Sequence, residues 1–249
     1  MPRRVLRTGA LCTGKDKEKR DRKKMIGFYN YSVILTYISL ISSVFGMSQA
    51  IHGRFKVAVF CLALSGLCDM FDGKIARSMK NRTEDEKSFG IQIDSLCDVV
   101  CFGIFPAMIC YLLGVRGPVG LVIIALYCVN SVIRLAYFNV MEMKGALVSE
   151  EGEKYYKGLP ITSMAVVLPL VFMIQFFVPD FVFIICLHLA LLVVGTLFVV
   201  NFRFRKPKNS TLAVLVAVVA VALCIMILRT RYRIEFRHGW PWLPWLRKL

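Results

Sequence analysis

Residues 69–98 read DMFDGKIARSMKNRTEDEKSFGIQIDSLCD, and apolar runs flank this stretch on both sides. Asp69, Asp72, Asp94 and Asp98 therefore stand beside segments long enough to cross a membrane, where an unpaired charge is costly. Asp69 and Asp72 are three residues apart, and Gly73 and Ala76 each follow one of them by four. On a helix all four share one face, with Arg77 at its edge. Gly90, Asp94 and Asp98 recur at intervals of four and share the face of a second helix. If the two faces meet, the small residues admit close approach of backbone and ligand, and the four carboxylates converge. Such an oxygen-rich donor set suits a hard divalent cation such as Mg²⁺ or Mn²⁺ rather than zinc.

The rest of the chain fixes the surroundings. Its 249 residues are 57% hydrophobic, with a mean hydropathy of +0.62. That is too apolar for an ordinary soluble domain and implies several transmembrane helices. Continuous apolar runs, in place of alternation, argue against a β-barrel. The expected fold class is all-α: a polytopic membrane helix bundle of six core transmembrane helices plus a C-terminal seventh apolar helix. The formal net charge of +16 is gathered in a few segments, as loop topology and anionic headgroups require, and no nucleic acid is expected as a partner. All of the nine cysteines except Cys12 lie in apolar runs. They read as small packing residues, since no Cys-x-x-Cys pair or adjacent histidine marks a zinc site. The first thirty residues hold no apolar core with a small-residue cleavage site, so no signal peptide is expected.

Three regions follow in order. Residues 1–27 form a basic cytoplasmic arm, 28–202 the membrane domain, and 203–249 an extra apolar helix with a basic, Trp-rich tail. The expected spans are about 31–50, 55–77, 90–113, 119–140, 159–177, 181–200 and 211–228. A cytoplasmic N-terminus puts both halves of the aspartate motif and the basic loops 79–89, 141–158 and 201–209 on the cytoplasmic side. Seven crossings would leave the basic tail outside, against the same rule. Trp240, Trp242 and Trp245 suit an interfacial anchor.

The pattern Asp69-x-x-Asp72-Gly73-x-x-Ala76-Arg77, then Gly90-x-x-x-Asp94-x-x-x-Asp98, resembles the signature of the CDP-alcohol phosphatidyltransferases, integral membrane enzymes of phospholipid synthesis. The interval from Arg77 to Gly90 exceeds its commonest form by about one helical turn. The insert MKNRTEDEK reads as a helix extension plus loop that keeps the carboxylates in phase. Arg134-Leu135-Ala136-Tyr137-Phe138-Asn139 and Tyr155-Tyr156-Lys157-Gly158-Leu159-Pro160 resemble segments of the phosphatidylserine synthase branch, which extends the resemblance over roughly residues 30–200. In the first span the Pro-Asn that often opens it is replaced by Ser32-Val33, while Leu35-Thr36 remain.

The resemblance implies transfer of the phosphatidyl group from CDP-diacylglycerol to L-serine, with CMP leaving and two divalent ions (Mg²⁺ or Mn²⁺) assisting. Asp69, Asp72, Asp94 and Asp98 are then the metal ligands, and Asp98 the general base. Asp69, Gly73, Ala76 and Arg77 take the nucleotide, and Arg134, Asn139 and Lys157 the serine. The resemblance also implies a homodimer among membrane lipids, multi-pass in the cell (cytoplasmic) membrane, with its active site facing the cytoplasm. Open alternatives are a sister enzyme using glycerol 3-phosphate or inositol phosphate, and a carrier with an acidic ion site. Arg134 and Lys157 also suit snorkelling to the headgroups. Gly66, Gly103 and Ser95 read as close-packing positions.

Overall fold

Helix α1 (Tyr31–Ile51) shows how this chain sorts its side chains. Thr36, Ser39 and Ser43 form a buried hydroxyl stripe, while Ile34, Ile38, Ile41 and Phe45 are exposed on another face. This inside-out pattern suits hydrocarbon surroundings, where exposed apolar side chains cost nothing and hydroxyls must find partners within the bundle. Ser39 and Ser65 hydroxyls lie 2.6 Å apart, and Ser43 donates to Ser65 at 2.9 Å. Those bonds pin α1 along α2 (Phe55–Ser78).

The computed structural model describes residues 31–78, 83–143, 155–205, 216–221 and 224–225. After α2 the chain forms α3 (Glu84–Asp98), a π-helical turn (Val99–Ile104) and α4 (Phe105–Leu113), which stack as one column. Then come α5 (Gly117–Met143), a 3₁₀ turn (Ile161–Ser163) leading into α6 (Met164–Ile174), and α7 (Asp180–Val199). Helix α5 packs along α7, and α2 packs against α6. Among the described residues these elements stand as six helical columns. Four stretches are long and apolar enough to cross a membrane: Val33–Ile51, Glu84–Leu113, Gly117–Met143 and Asp180–Val199. On that length and composition the chain is an integral membrane protein. Helix α2 is as long but carries the motif's charges, and Ile161–Ile174 is shorter. Of the expected seventh span only the helical residues 216–221 and 224–225 are described. The basic arm, the Trp-rich tail and residues 79–82, 144–154 and 206–209 of the expected loops fall outside the described residues.

Two details differ from the sequence reading. First, α3 begins six residues before Gly90. Thr83 caps it: Glu86 N–H donates to Thr83 Oγ1 at 3.2 Å, and Thr83 N–H donates to Glu86 Oε2 at 3.1 Å. Glu84, Asp85 and Glu86 crowd the first turn, where acids favour the positive end of the helix. Residues 84–87 of the insert are therefore helix, and Asp94 lies ten residues into α3 instead of four. Second, the bundle carries one short ribbon, in which β1 (Tyr155–Lys157) pairs antiparallel with β2 (Arg203–Arg205). Gly158 makes the ribbon possible. Its φ is +77°, and a Cβ there would stand 2.9 Å from the Phe198 carbonyl. Its N–H donates to Phe202 O at 3.0 Å, and Leu159 N–H to Leu197 O at 3.2 Å. Backbone entering α6 thus meets its hydrogen-bonding needs on backbone leaving α7.

The core centres on Phe102, Phe105, Tyr127, Phe172, Leu62 and Ile109, all fully buried. Pro106 lies just past the π turn and has no N–H to bond the carbonyl of Phe102, four residues earlier. Tyr127 of α5 donates its hydroxyl to that carbonyl at 2.5 Å instead. Close approach depends on absent side chains: a Cβ at Gly66 would lie 2.5 Å from Ala165 Cβ, and one at Gly103 2.7 Å from Ser131 Oγ. All eight described cysteines are free thiols, five of them buried, as packing residues should be.

Candidate active site

The two helices of the motif meet as their spacing requires. Asp69, Asp94 and Asp98 each offer a carboxylate oxygen, and these atoms all lie within 4.8 Å of one another. Asp69 is nine residues from the end of α2, and Asp94 ten from the start of α3. At 1.5 Å per residue both lie about 14–15 Å inside the bundle end. The charges lie well inside that end of the bundle, and each of the three acids is partly buried.

Asp72 stands one turn from Asp69 and is buried, with 4% of its surface exposed. Its Oδ2 accepts a hydrogen bond from Thr36 Oγ1 at 3.0 Å. It remains a charge neighbour of both Asp69 and Asp94. Gly73, Ala76 and Gly90 occupy their expected helical positions. Arg77 is in the last turn of α2, and the side chains of Ala76 and Arg77 lie outside the described set.

The residues fit a hard cation. Oxygens that ligate one Mg²⁺ at about 2.1 Å lie about 3.0 Å apart when adjacent and about 4.2 Å apart when opposite, so side-chain rotation can bring the three carboxylates onto one ion. Three carboxylates this close repel one another and call for positive charge. The group contains no thiol or imidazole, although Cys97 and Cys101 are buried nearby in sequence.

Residues of the second set reach the same depth. Arg134 is nine residues from the end of α5, is 8% exposed, and is a charge neighbour of Asp69. Its Nε donates to Leu159 O at 2.9 Å, and its guanidinium carbon lies 5.1 Å from the centroid of Phe138. It points into the protein, toward the entrance of α6, and does not reach out to headgroups. Asn139, further along α5, accepts a hydrogen bond from Ser95 Oγ at 2.7 Å. Ser95 follows Asp94, so this bond ties α5 directly to the motif helix. Lys157 lies on β1, next to Gly158, and its side chain is outside the described set.

Sequence reasoning named Thr36 only as part of a resembling segment and Ser95 only as a packing residue. It did not name Glu142, a charge neighbour of Asp94 from the last turn of α5. Thr36 carried a readable signal, because Thr36, Ser39 and Ser43 at helical spacing mark an inward face in an apolar helix. Ser95 and Glu142 carried none, since their roles depend on how α5 is placed against α3.

A family model described as CDP-alcohol phosphatidyltransferase matches residues 29–229, and the chain belongs to that family. Among curated proteins it is similar to a CDP-diacylglycerol–serine O-phosphatidyltransferase of Mycobacterium bovis, with 31% identity over 53% of this chain and 45% of that protein. A protein of the same name from Saccharomyces cerevisiae is 35% identical over 45% of this chain and 40% of its own. An archaetidylserine synthase of Methanothermobacter thermautotrophicus is 29% identical over 62% and 63% respectively. The chain thus spans about half the length of the curated relatives it matches. No solved structure matches it significantly.

Proposed function

We propose that this protein transfers the phosphatidyl group of CDP-diacylglycerol to L-serine, giving phosphatidylserine and CMP. The observation that carries the reading is the convergence of Asp69, Asp94 and Asp98 from two helices. The names of the relatives support serine as the acceptor.

Asp69, Asp72, Asp94 and Asp98 would hold two divalent cations, Mg²⁺ or Mn²⁺. Bound there, the cations neutralise the anionic pyrophosphate and orient it for in-line displacement. The chain's own residues do the rest. Asp98, fixed at the start of the π turn, takes the proton of the serine hydroxyl as its oxygen bonds the lipid-side phosphorus. The bond from that phosphorus to the CMP oxygen breaks, and CMP leaves with the electron pair. Asp69, with Gly73 and Ala76, leaves room for the nucleotide, and Arg77 at the edge of that face pairs with its phosphate. Arg134, held by its Nε–H on Leu159 O, brings a guanidinium charge to the pocket for the serine carboxylate or the lipid phosphate. Asn139 and Lys157 complete the serine pocket. Soluble serine and CMP would enter and leave at the motif end of the bundle, which faces the cytoplasm of a multi-pass protein in the cell membrane.

The test is CMP release from CDP-diacylglycerol by purified protein with Mn²⁺ or Mg²⁺, offered serine, glycerol 3-phosphate, inositol phosphate or no acceptor. Release with serine alone, with phosphatidylserine as product, is expected. Release with a phosphorylated acceptor would overturn the serine assignment, and no release from folded protein would overturn the enzyme reading.

A further inference from the structure

Helix α1 carries none of the motif acids, yet it makes a buried hydrogen bond to one of them. Thr36 is 5% exposed and bonds Asp72 Oδ2 at 3.0 Å. The same side chain is a hydrogen-bonding neighbour of Asp94. One hydroxyl therefore bonds an acid on one motif helix and neighbours an acid on the other. A hydroxyl has a single proton, so it cannot neutralise two carboxylates, but it can fix where they stand relative to each other. Its own position is fixed in turn. Ser39 and Ser43, one and two turns further along α1, hold that helix to α2 through Ser65. Ser39 also donates to Cys101 Sγ at 3.7 Å, inside the π turn that follows Asp98.

We propose that Thr36 is a positioning residue for the cation site: its hydroxyl sets Asp72 of α2 against Asp94 of α3, so that one ion can be gripped across the two helices. This rests on the reading that the acids hold a divalent cation. The physical reason is that an unanchored carboxylate samples several orientations, whereas one anchored through a single oxygen offers its remaining lone pairs in a defined direction. Partners of this kind behind a metal ligand typically change metal affinity by about 10- to 100-fold.

The test compares full-length wild type, Thr36→Val, Thr36→Ser and Ser43→Ala in detergent micelles. Mn²⁺ binding is measured by the loss of the free-ion electron paramagnetic resonance signal, alongside thermal unfolding and CMP release. Thr36→Val keeps the shape and loses the hydroxyl, and should weaken Mn²⁺ binding about 10- to 100-fold. Thr36→Ser should bind within about threefold of wild type, because it restores the donor. Ser43→Ala removes an equally buried bond two turns from Thr36 while the nearer Ser39–Ser65 bond still holds α1 to α2, and should lower the unfolding temperature without changing Mn²⁺ affinity. Folded Thr36→Val that binds Mn²⁺ like wild type would overturn the proposal and leave the enzyme reading standing. Wild type that binds Mn²⁺ without releasing CMP, beside a weakened Thr36→Val, would overturn the enzyme reading and support the proposal.

Discussion

The hydroxyl of Tyr127 donates to the carbonyl of Phe102 at 2.5 Å, four residues beyond Asp98. Phe102 belongs to a π-helical turn, and Pro106 cannot supply the amide hydrogen that an α-helix would place there. Helix α5 thereby completes the backbone of the column that bears Asp94 and Asp98. Such turns interrupt helices at functional sites in many proteins, and here the interruption follows directly on the acid assigned as general base.

Tyr127→Phe should leave this buried carbonyl without its donor and destabilise the protein by about 1–3 kcal/mol. Thermal unfolding in detergent reads the loss. Restoring an amide with Pro106→Ala should make the same Tyr127→Phe change less damaging. Equal losses in both backgrounds would show that the hydroxyl does not stand in for the missing N–H.

Gly66→Ala should be destabilising, by about 1–3 kcal/mol as for other overpacked cores, because its Cβ would meet Ala165 Cβ at 2.5 Å. Ala165→Gly should relieve it. If the double variant unfolds no later than Gly66→Ala alone, the contact between α2 and α6 is not what limits the space.

Ser95→Ala should act on the acceptor side of the reaction. It removes the hydrogen bond that sets Asn139 beside the motif helix. A lost bond of this kind is worth about 0.5–1.5 kcal/mol, or roughly 2- to 12-fold. Steady-state kinetics should show the KM for serine rising by that factor, with the KM for CDP-diacylglycerol close to wild type. An unchanged serine KM would remove Asn139 from the pocket.

Thr83→Ala should fray the start of α3. The reciprocal bonds between Thr83 and Glu86 are worth about 0.5–2 kcal/mol in comparable caps. Hydrogen exchange of the amides at 84–87 should quicken, while Mn²⁺ binding at the deeper aspartates stays the same. Unaltered exchange would show that the cap contributes nothing.

Much of this architecture can be read from the residues. Carboxylates at intervals of three and four need only helical phase to share a face, and the apolar runs on either side need only length to be spans. The start of α3 was also legible, since Thr83-x-x-Glu86 is a capping signal. The charges of the insert suit a solvated loop equally well, and they mask that signal. Pro106 hinted at a break in the third column but not at its form. The π turn's Phe102 carbonyl is met by a tyrosine 25 residues further along, brought back by the packing of α5. The ribbon of β1 and β2 pairs residues across the whole of α6 and α7, and three-residue strands leave no periodic trace. The same limit applies to Thr36 and Asp72, 36 residues apart in sequence. Local pattern marks each as polar in an apolar helix, and only tertiary placement makes them partners.

The most direct measurement is serine-dependent CMP release by wild type and Asp94→Asn, each with and without Mn²⁺, on protein shown to be folded by thermal unfolding. The account predicts release by wild type only when both serine and Mn²⁺ are present, and none by Asp94→Asn. Release by Asp94→Asn at the wild-type rate would contradict the assignment of the reaction to the carboxylates of α2 and α3.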